Sequence, residues 1–391
     1  MARRDLKSLD MIRTLISYDT TSRDSNLALI DYIKTYLAKL GVESELIYDD
    51  EKRKANLYAT LGPKDRGGIC LSGHTDVVPI DGQEWSTDPF KVDERNGKLY
   101  GRGTCDMKSW LAVALAYAPE FLERGLDIPI HLAFSYDEEV GCIGVRRMIS
   151  QLNARPHRPT MCIVGEPTGM KVVRAHKGKR SYYCRVRGFE AHSSLTPRGV
   201  NAIEYAAEIV LKLKEMGKRH RDGGPYDDEF DVPYTTVHTG VIHGGTQLNI
   251  VPKDCVFEFE FRHLPGDDPL AMYEEVKSFA EKELVPQMQE VAADTGIAFQ
   301  LRSEFPGLDM SEDDEVTALV KRLTGANSTA KVAFGTEAGL FQKGGIPTII
   351  CGPGEVDQAH KPDEFVSLDQ IALCEDFMAR IMDHVCRRPG A

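Results

Sequence analysis

Three apolar runs in the first half of the chain, residues 67–74, 128–139 and 160–168, each break off in a cluster of glycine, histidine or acidic side chains. Residues 109–125 and 143–152, between them, carry apolar side chains at three- and four-residue spacing instead, the period of a helix packed on one face. A run that is apolar at nearly every position reads as a strand buried on both sides. Strands of that kind alternating with helices predict a mainly parallel sheet with helices on both faces. The same rhythm returns near the end, where residues 315–325 and 367–388 read as helices around a strand at 348–354.

The middle of the chain obeys another rule. Residues 181–190 alternate in polarity as a half-exposed strand does, residues 201–217 read as a long helix, and residues 234–245 and 254–266 read as antiparallel strands. A second helical pattern at 270–296 and a strand at 297–305 complete a β-α-β-β-α-β order, that of a ferredoxin-like α+β unit. With 391 residues, more than one core usually holds, two domains are expected. The boundaries place a catalytic domain at residues 1–178 and 308–391 and an inserted lid or dimerisation domain at 179–307.

The formal charge of −12 argues against nucleic acid as a partner and for a well-solvated surface. The N-terminal segment reads as an amphipathic helix with Leu9, Ile12, Leu15 and Ile16 on one face, not as a signal peptide or membrane span, so no membrane partner and a cytoplasmic location are expected. Nine cysteines without a C-x-x-C pair are expected to be buried free thiols. Cys105 adjoins Asp106, but no activating base accompanies it, and packing is its expected role.

Five residues at the ends of apolar runs carry the chemistry: His74, Asp106, Glu139, Glu166 and His360. Two imidazoles and three carboxylates form the mixed nitrogen and oxygen set that divalent metals such as zinc accept, and their number points to two ions. Asp76, two residues beyond His74, is placed to fix the tautomer of a metal-bound imidazole. Asp106 sits near the start of a long helix, where an acid is ordinarily an N-cap, but its two oxygens also suit a bridge between cations. Adjacent glutamates such as Glu138 and Glu139 can divide the labour above a metal, one ligating and its neighbour staying uncoordinated as a general base. In the inserted unit, Arg262 is suited to bidentate pairing with a carboxylate, or is simply a surface cation.

Taken in order, the segments at 73–78, 100–110, 135–146, 163–168, 191–206, 248–255, 334–341 and 358–365 resemble the dinuclear zinc amidohydrolases, a family that includes aminoacylases, carboxypeptidase-type exopeptidases and succinyl-diaminopimelate desuccinylase. The resemblance spans nearly the whole chain. It implies hydrolysis of the acyl amide of a small N-acyl amino acid, with acetyl and succinyl substrates both open, two zinc ions (cobalt being an alternative) and a homodimer. It implies that His74 and Glu166 hold one ion, Glu139 and His360 the other, and that Asp106 bridges them. It further implies that Asp76 orients His74, that Glu138 is general base and acid, and that His192 reaches the partner subunit's active site. Asn249 and Arg262 match residues on the carboxylate side of the substrate, and for a substrate with a cationic side chain Glu337, in the segment 334–339, is a candidate counter-charge, with capping of the next helical turn as the alternative.

Overall fold

The structure is a computed structural model, and residues 5–386 of it are described here. Residues 1–4 and 387–391, which the expected catalytic domain includes, lie outside that range. The chain divides into two compact units: one takes the residues up to Ala175, Leu308–Lys331 and those from Thr336 on, the other His176–Gly307 and Val332–Gly335. Among the described residues no helix is long and apolar enough to cross a membrane.

The first unit is built on a nine-stranded sheet. At its centre Ile130–Ser135, Ile69–His74, Met161–Pro167 and Thr348–Gly352 lie side by side and parallel. Every residue of these four strands is buried, as their unbroken apolar character predicts. Antiparallel strands flank them, with Ala55–Leu61 and Ser44–Tyr48 on one side. Adjacent side chains of a strand point to opposite faces. A Cβ at Gly73 would meet Met107 and Leu111 of the segment running into the helix Lys108–Arg124, whereas the Ser72 hydroxyl bonds Glu337 at the head of the helix Ala338–Lys343. The two helices therefore cover opposite faces. A separate three-stranded sheet of Asp93–Arg95, Lys98–Tyr100 and Phe365–Ser367 was not legible in the sequence.

The second unit is a four-stranded antiparallel sheet in which Asp254–His263 and Gly178–Arg187 are central and Thr236–Gly244 and Gly296–Phe305 are the edges. That order is ferredoxin-like. Burial alternates residue by residue along Asp254–His263, and Phe257, Phe259 and Phe261 form its core with Ile209, Leu213 and Met216 of the helix Ala202–Gly223. One expected element differs. The helix predicted over 270–296 is Pro269–Phe279 followed by a wide turn, Ala280–Leu284, and a short helix, Val285–Val291. Pro286 has no N–H to give and its ring crowds the preceding turn, so the backbone opens there.

All nine cysteines are free and buried. Trp110 lies flat against Gly165, where an added Cβ would fall 2.0 Å from its ring carbons, and its Nε1 donates to the Ser72 carbonyl at 2.9 Å. Gly165→Ala is therefore expected to force the indole out of place and destabilise the protein by roughly 1–3 kcal/mol, read as a lower unfolding midpoint in denaturant.

Candidate metal centre

Parallel strands end together, so the residues just beyond their C-terminal ends gather above the sheet. His74 is the last residue of its strand, Glu138 and Glu139 come just after the neighbouring strand, Glu166 ends the next, and His360 lies in the loop beyond Thr348–Gly352. Asp106 comes from the glycine-rich turn before the helix Lys108–Arg124, whose N-cap is Met107 rather than Asp106. The carboxylate is therefore not spent on the helix.

The five side chains meet around Asp106. Its Oδ1 is 3.0 Å from His74 Nε2, and its Oδ2 is 3.2 Å from His360 Nε2. His74 Nε2 also lies 3.8 Å from Glu166 Oε1, and His360 Nε2 lies 3.1 Å from Glu139 Oε2. Donor atoms of His74, Asp106 and Glu139 fall within 4.8 Å of one another, as do those of His74, Glu138 and Glu166. By distance alone Glu138 is thus as near to His74 as a ligand would be.

Asp76 acts differently from its expected part. The closest partner of His74 Nδ1 is the Asp76 carbonyl, at 2.8 Å, while the carboxylate stands at 3.6 Å. A carbonyl only accepts, so Nδ1 carries a proton, and Nε2 is the nitrogen turned to the cluster. The Asp76 carboxylate instead accepts from the backbone N–H groups of Glu138 (3.1 Å) and Glu139 (3.3 Å) and from the Ser22 hydroxyl (2.7 Å). It shapes the turn that presents both glutamates.

Glu337 is also corrected. It is 1% exposed, and its two oxygens accept from Ser72 Oγ at 2.6 Å and Ser135 Oγ at 2.7 Å. It makes no capping bond to its helix. Tied to two adjacent strands two residues before His74 and three before Glu138, it braces the sheet beneath the cluster; a carboxylate so enclosed is poorly placed to meet a substrate cation.

Sequence reasoning missed Glu364. Its Oε1 accepts from three backbone N–H groups, of Gly103 (3.0 Å), Cys105 (2.8 Å) and Asp106 (3.0 Å), and its Oε2 from Arg102 Nη1 at 2.6 Å. Arg102 donates to Gln83, whose amide donates to the His360 carbonyl at 3.0 Å. This buried set joins the loop of Asp106 to the loop of His360. An acid four residues after a histidine carries no spacing signal; only the fold reveals it.

Charge makes the cluster costly. Burial raises Glu138 to about 8 and Glu139 to about 7, and repulsion from Asp106 adds to it. Burial likewise lifts Glu166, again with Asp106 contributing. Burial alone would raise Asp106 too, but its bonds with His360 and His74 hold it below the usual carboxylate range. His360, bonded to Asp106 and Glu139, rises to about 10. Several anions crowded where water is scarce call for cations, and imidazole nitrogens with carboxylate oxygens are what borderline divalent ions bind. The donor set fits a pair of them.

His192, Asn249 and Arg262 belong to the second unit. The imidazole of His192 is exposed, and its Nδ1 accepts from the Ser194 backbone N–H at 3.2 Å, so in the neutral ring the proton sits on Nε2. Arg262 Nε donates to Glu260 at 2.9 Å. Asn249 is exposed, and its carbonyl accepts from the Ser193 N–H at 3.0 Å.

Because Glu364 holds Asp106 and, through Arg102, the His360 loop, Glu364→Ala is expected to weaken divalent-ion binding by about 10- to 100-fold, measured by titrating zinc into the metal-stripped protein. Affinity equal to that of the parent would remove Glu364 from the account.

Residues 70–384 match Peptidase family M20/M25/M40. Acetylornithine deacetylase of Pasteurella multocida is 33% identical over 374 residues, covering 95% of each chain, and that of Photorhabdus laumondii is 32% identical over 388 residues, covering 97% of each. An M20 metallo-carboxypeptidase of Sulfolobus solfataricus has the same fold, with a TM-score of 0.75 at 19% identity over 97% of this chain and 99% of that one. So does the aminopeptidase PepT of Bacillus cereus, with a TM-score of 0.72 at 22% identity over 96% and 97%. A profile match over most of the length, joined to relatives at one-third identity, settles the kinship: the chain belongs to peptidase family M20/M25/M40 and is a metal-dependent amidohydrolase.

Proposed function

We propose that the chain hydrolyses the acetyl amide of N2-acetyl-L-ornithine to L-ornithine and acetate, a step of arginine biosynthesis, as a cytoplasmic homodimer holding two zinc ions. The observation that carries this reading is the pairing of His74 and His360 on the two oxygens of Asp106, in a chain a third identical along nearly its whole length to acetylornithine deacetylases. In this assignment His74 and Glu166 would hold one ion, Glu139 and His360 the other, and Asp106 would serve both. When bound, the ions supply a Lewis-acid field that makes water more acidic and draws electron density from the acyl carbonyl.

The residues of the chain do the rest. Amides resist hydrolysis because neutral water attacks weakly and an amine departs badly unless protonated. Glu138 lies within 4.8 Å of His74 and Glu166 through its carboxylate, close enough to take a proton from the attacking water. The same carboxyl then returns that proton to the departing amine nitrogen. With its proton on Nε2, the His192 imidazole of the partner protomer donates to the oxygen that gains negative charge. Arg262 and Asn249 receive the carboxylate end of the substrate, Arg262 through its Nη groups.

Two measurements test the proposal. Glu138→Gln is expected to keep its bound metal and lose about 10²- to 10⁴-fold in kcat; a variant that turns over normally ends the assignment of the base. Kinetics on N-acetylornithine, other N-acetyl amino acids and N-succinyl-diaminopimelate decide the substrate: the highest kcat/KM is expected with N-acetylornithine, and preference for the succinyl compound transfers the chain to the desuccinylase reading.

A further inference from the structure

The turn after Ile130–Ser135 contains one residue, Cys142, that donates twice to Glu138. The Cys142 backbone N–H donates to the Glu138 carbonyl at 2.8 Å, and its thiol lies 3.2 Å from Glu138 Oε1, with the S–H donating. A carboxylate and a carbonyl accept but do not donate, so both bonds run from Cys142 to Glu138. The backbone of Cys142 is in the left-handed region, φ +53°, which non-glycine residues seldom adopt. That conformation folds the chain back so that one residue reaches both the main chain and the side chain of another four positions earlier. Cys142 is buried, and burial beside Glu138 and Glu337 keeps its thiol protonated, hence a donor and not a nucleophile.

We propose that Cys142 is a positioning residue for the reaction: its thiol fixes the rotamer of the Glu138 carboxylate and leaves Oε2 directed at the water and, later, at the leaving nitrogen. A glutamate has three side-chain torsions, and each freely rotating one dilutes the productive orientation. Asp76 fixes only the backbone of Glu138, so the side chain depends on the thiol. A thiol suits the task. As a weak, neutral donor it orients the carboxylate without quenching its basicity, whereas a charged donor would oppose proton uptake. The inference rests on Glu138 being the base.

The test compares Cys142→Ala, Cys142→Gly and Cys142→Ser with Glu138→Gln, using N-acetylornithine and zinc-loaded protein. Glycine accepts the left-handed backbone at no steric cost, so the second variant removes the thiol even if the first does not fold. Loss of the donor is expected to lower kcat by roughly ten-fold while KM stays within about two-fold and zinc stoichiometry is unchanged. Serine, which restores a donor, is expected to recover most of the rate. Unaltered kcat in the alanine and glycine variants, or serine failing as badly as glycine, overturns the positioning role, as does loss of zinc in step with loss of rate. A fully active Glu138→Gln overturns the reading beneath it, which separates the two failures.

Discussion

The physical constraint on which the structure turns is the burial of like charges around Asp106. Four carboxylates, of Asp106, Glu138, Glu139 and Glu166, stand within reach of His74 or His360 beside strands that are buried along their whole length. No packing gain in the first unit requires them. An unpaired buried charge costs several kcal/mol, so a fold that keeps several together must return the cost through bound cations or through protons.

Around this cluster lies a second set of acids with the opposite character. Asp76, Glu337 and Glu364 are buried as well, but each has its oxygens satisfied by donors: two backbone N–H groups and a serine, two serines, three backbone N–H groups and an arginine. Their oxygens need no cation, and they hold the loops that carry the cluster. Asp76 shapes the Glu138–Glu139 turn, Glu337 clamps the strands below it, and Glu364 joins the Asp106 and His360 loops. The site is thus supported by carboxylates whose contribution is geometric, arranged about carboxylates whose contribution is chemical.

How far this was legible in the sequence depends on the range of each interaction. The central strands could be read because a strand buried on both faces leaves an unbroken apolar run, and the inserted unit because 254–263 alternates strictly. His74, Glu139 and Glu166 could be read because each stands where such a run ends, and Asp106 and His360 because each sits in a polar turn next to an apolar element. Glu364 could not, because its partners lie about 260 positions earlier and no local pattern marks them. Glu337 was legible as an unusual acid but not as a brace, since its serine partners, Ser72 and Ser135, lie on two strands far away in the sequence. The break before Pro286 was a local signal passed over: a proline inside a helical pattern ordinarily marks an interruption.

The most direct test of the central claim is anomalous diffraction from crystals of the zinc-loaded protein. Two ions flanking Asp106 are expected, one bound by His74 and Glu166 and the other by Glu139 and His360, with Glu138 bound to neither. A single ion, ions away from Asp106, or Glu138 coordinated in place of Glu139 would contradict the account.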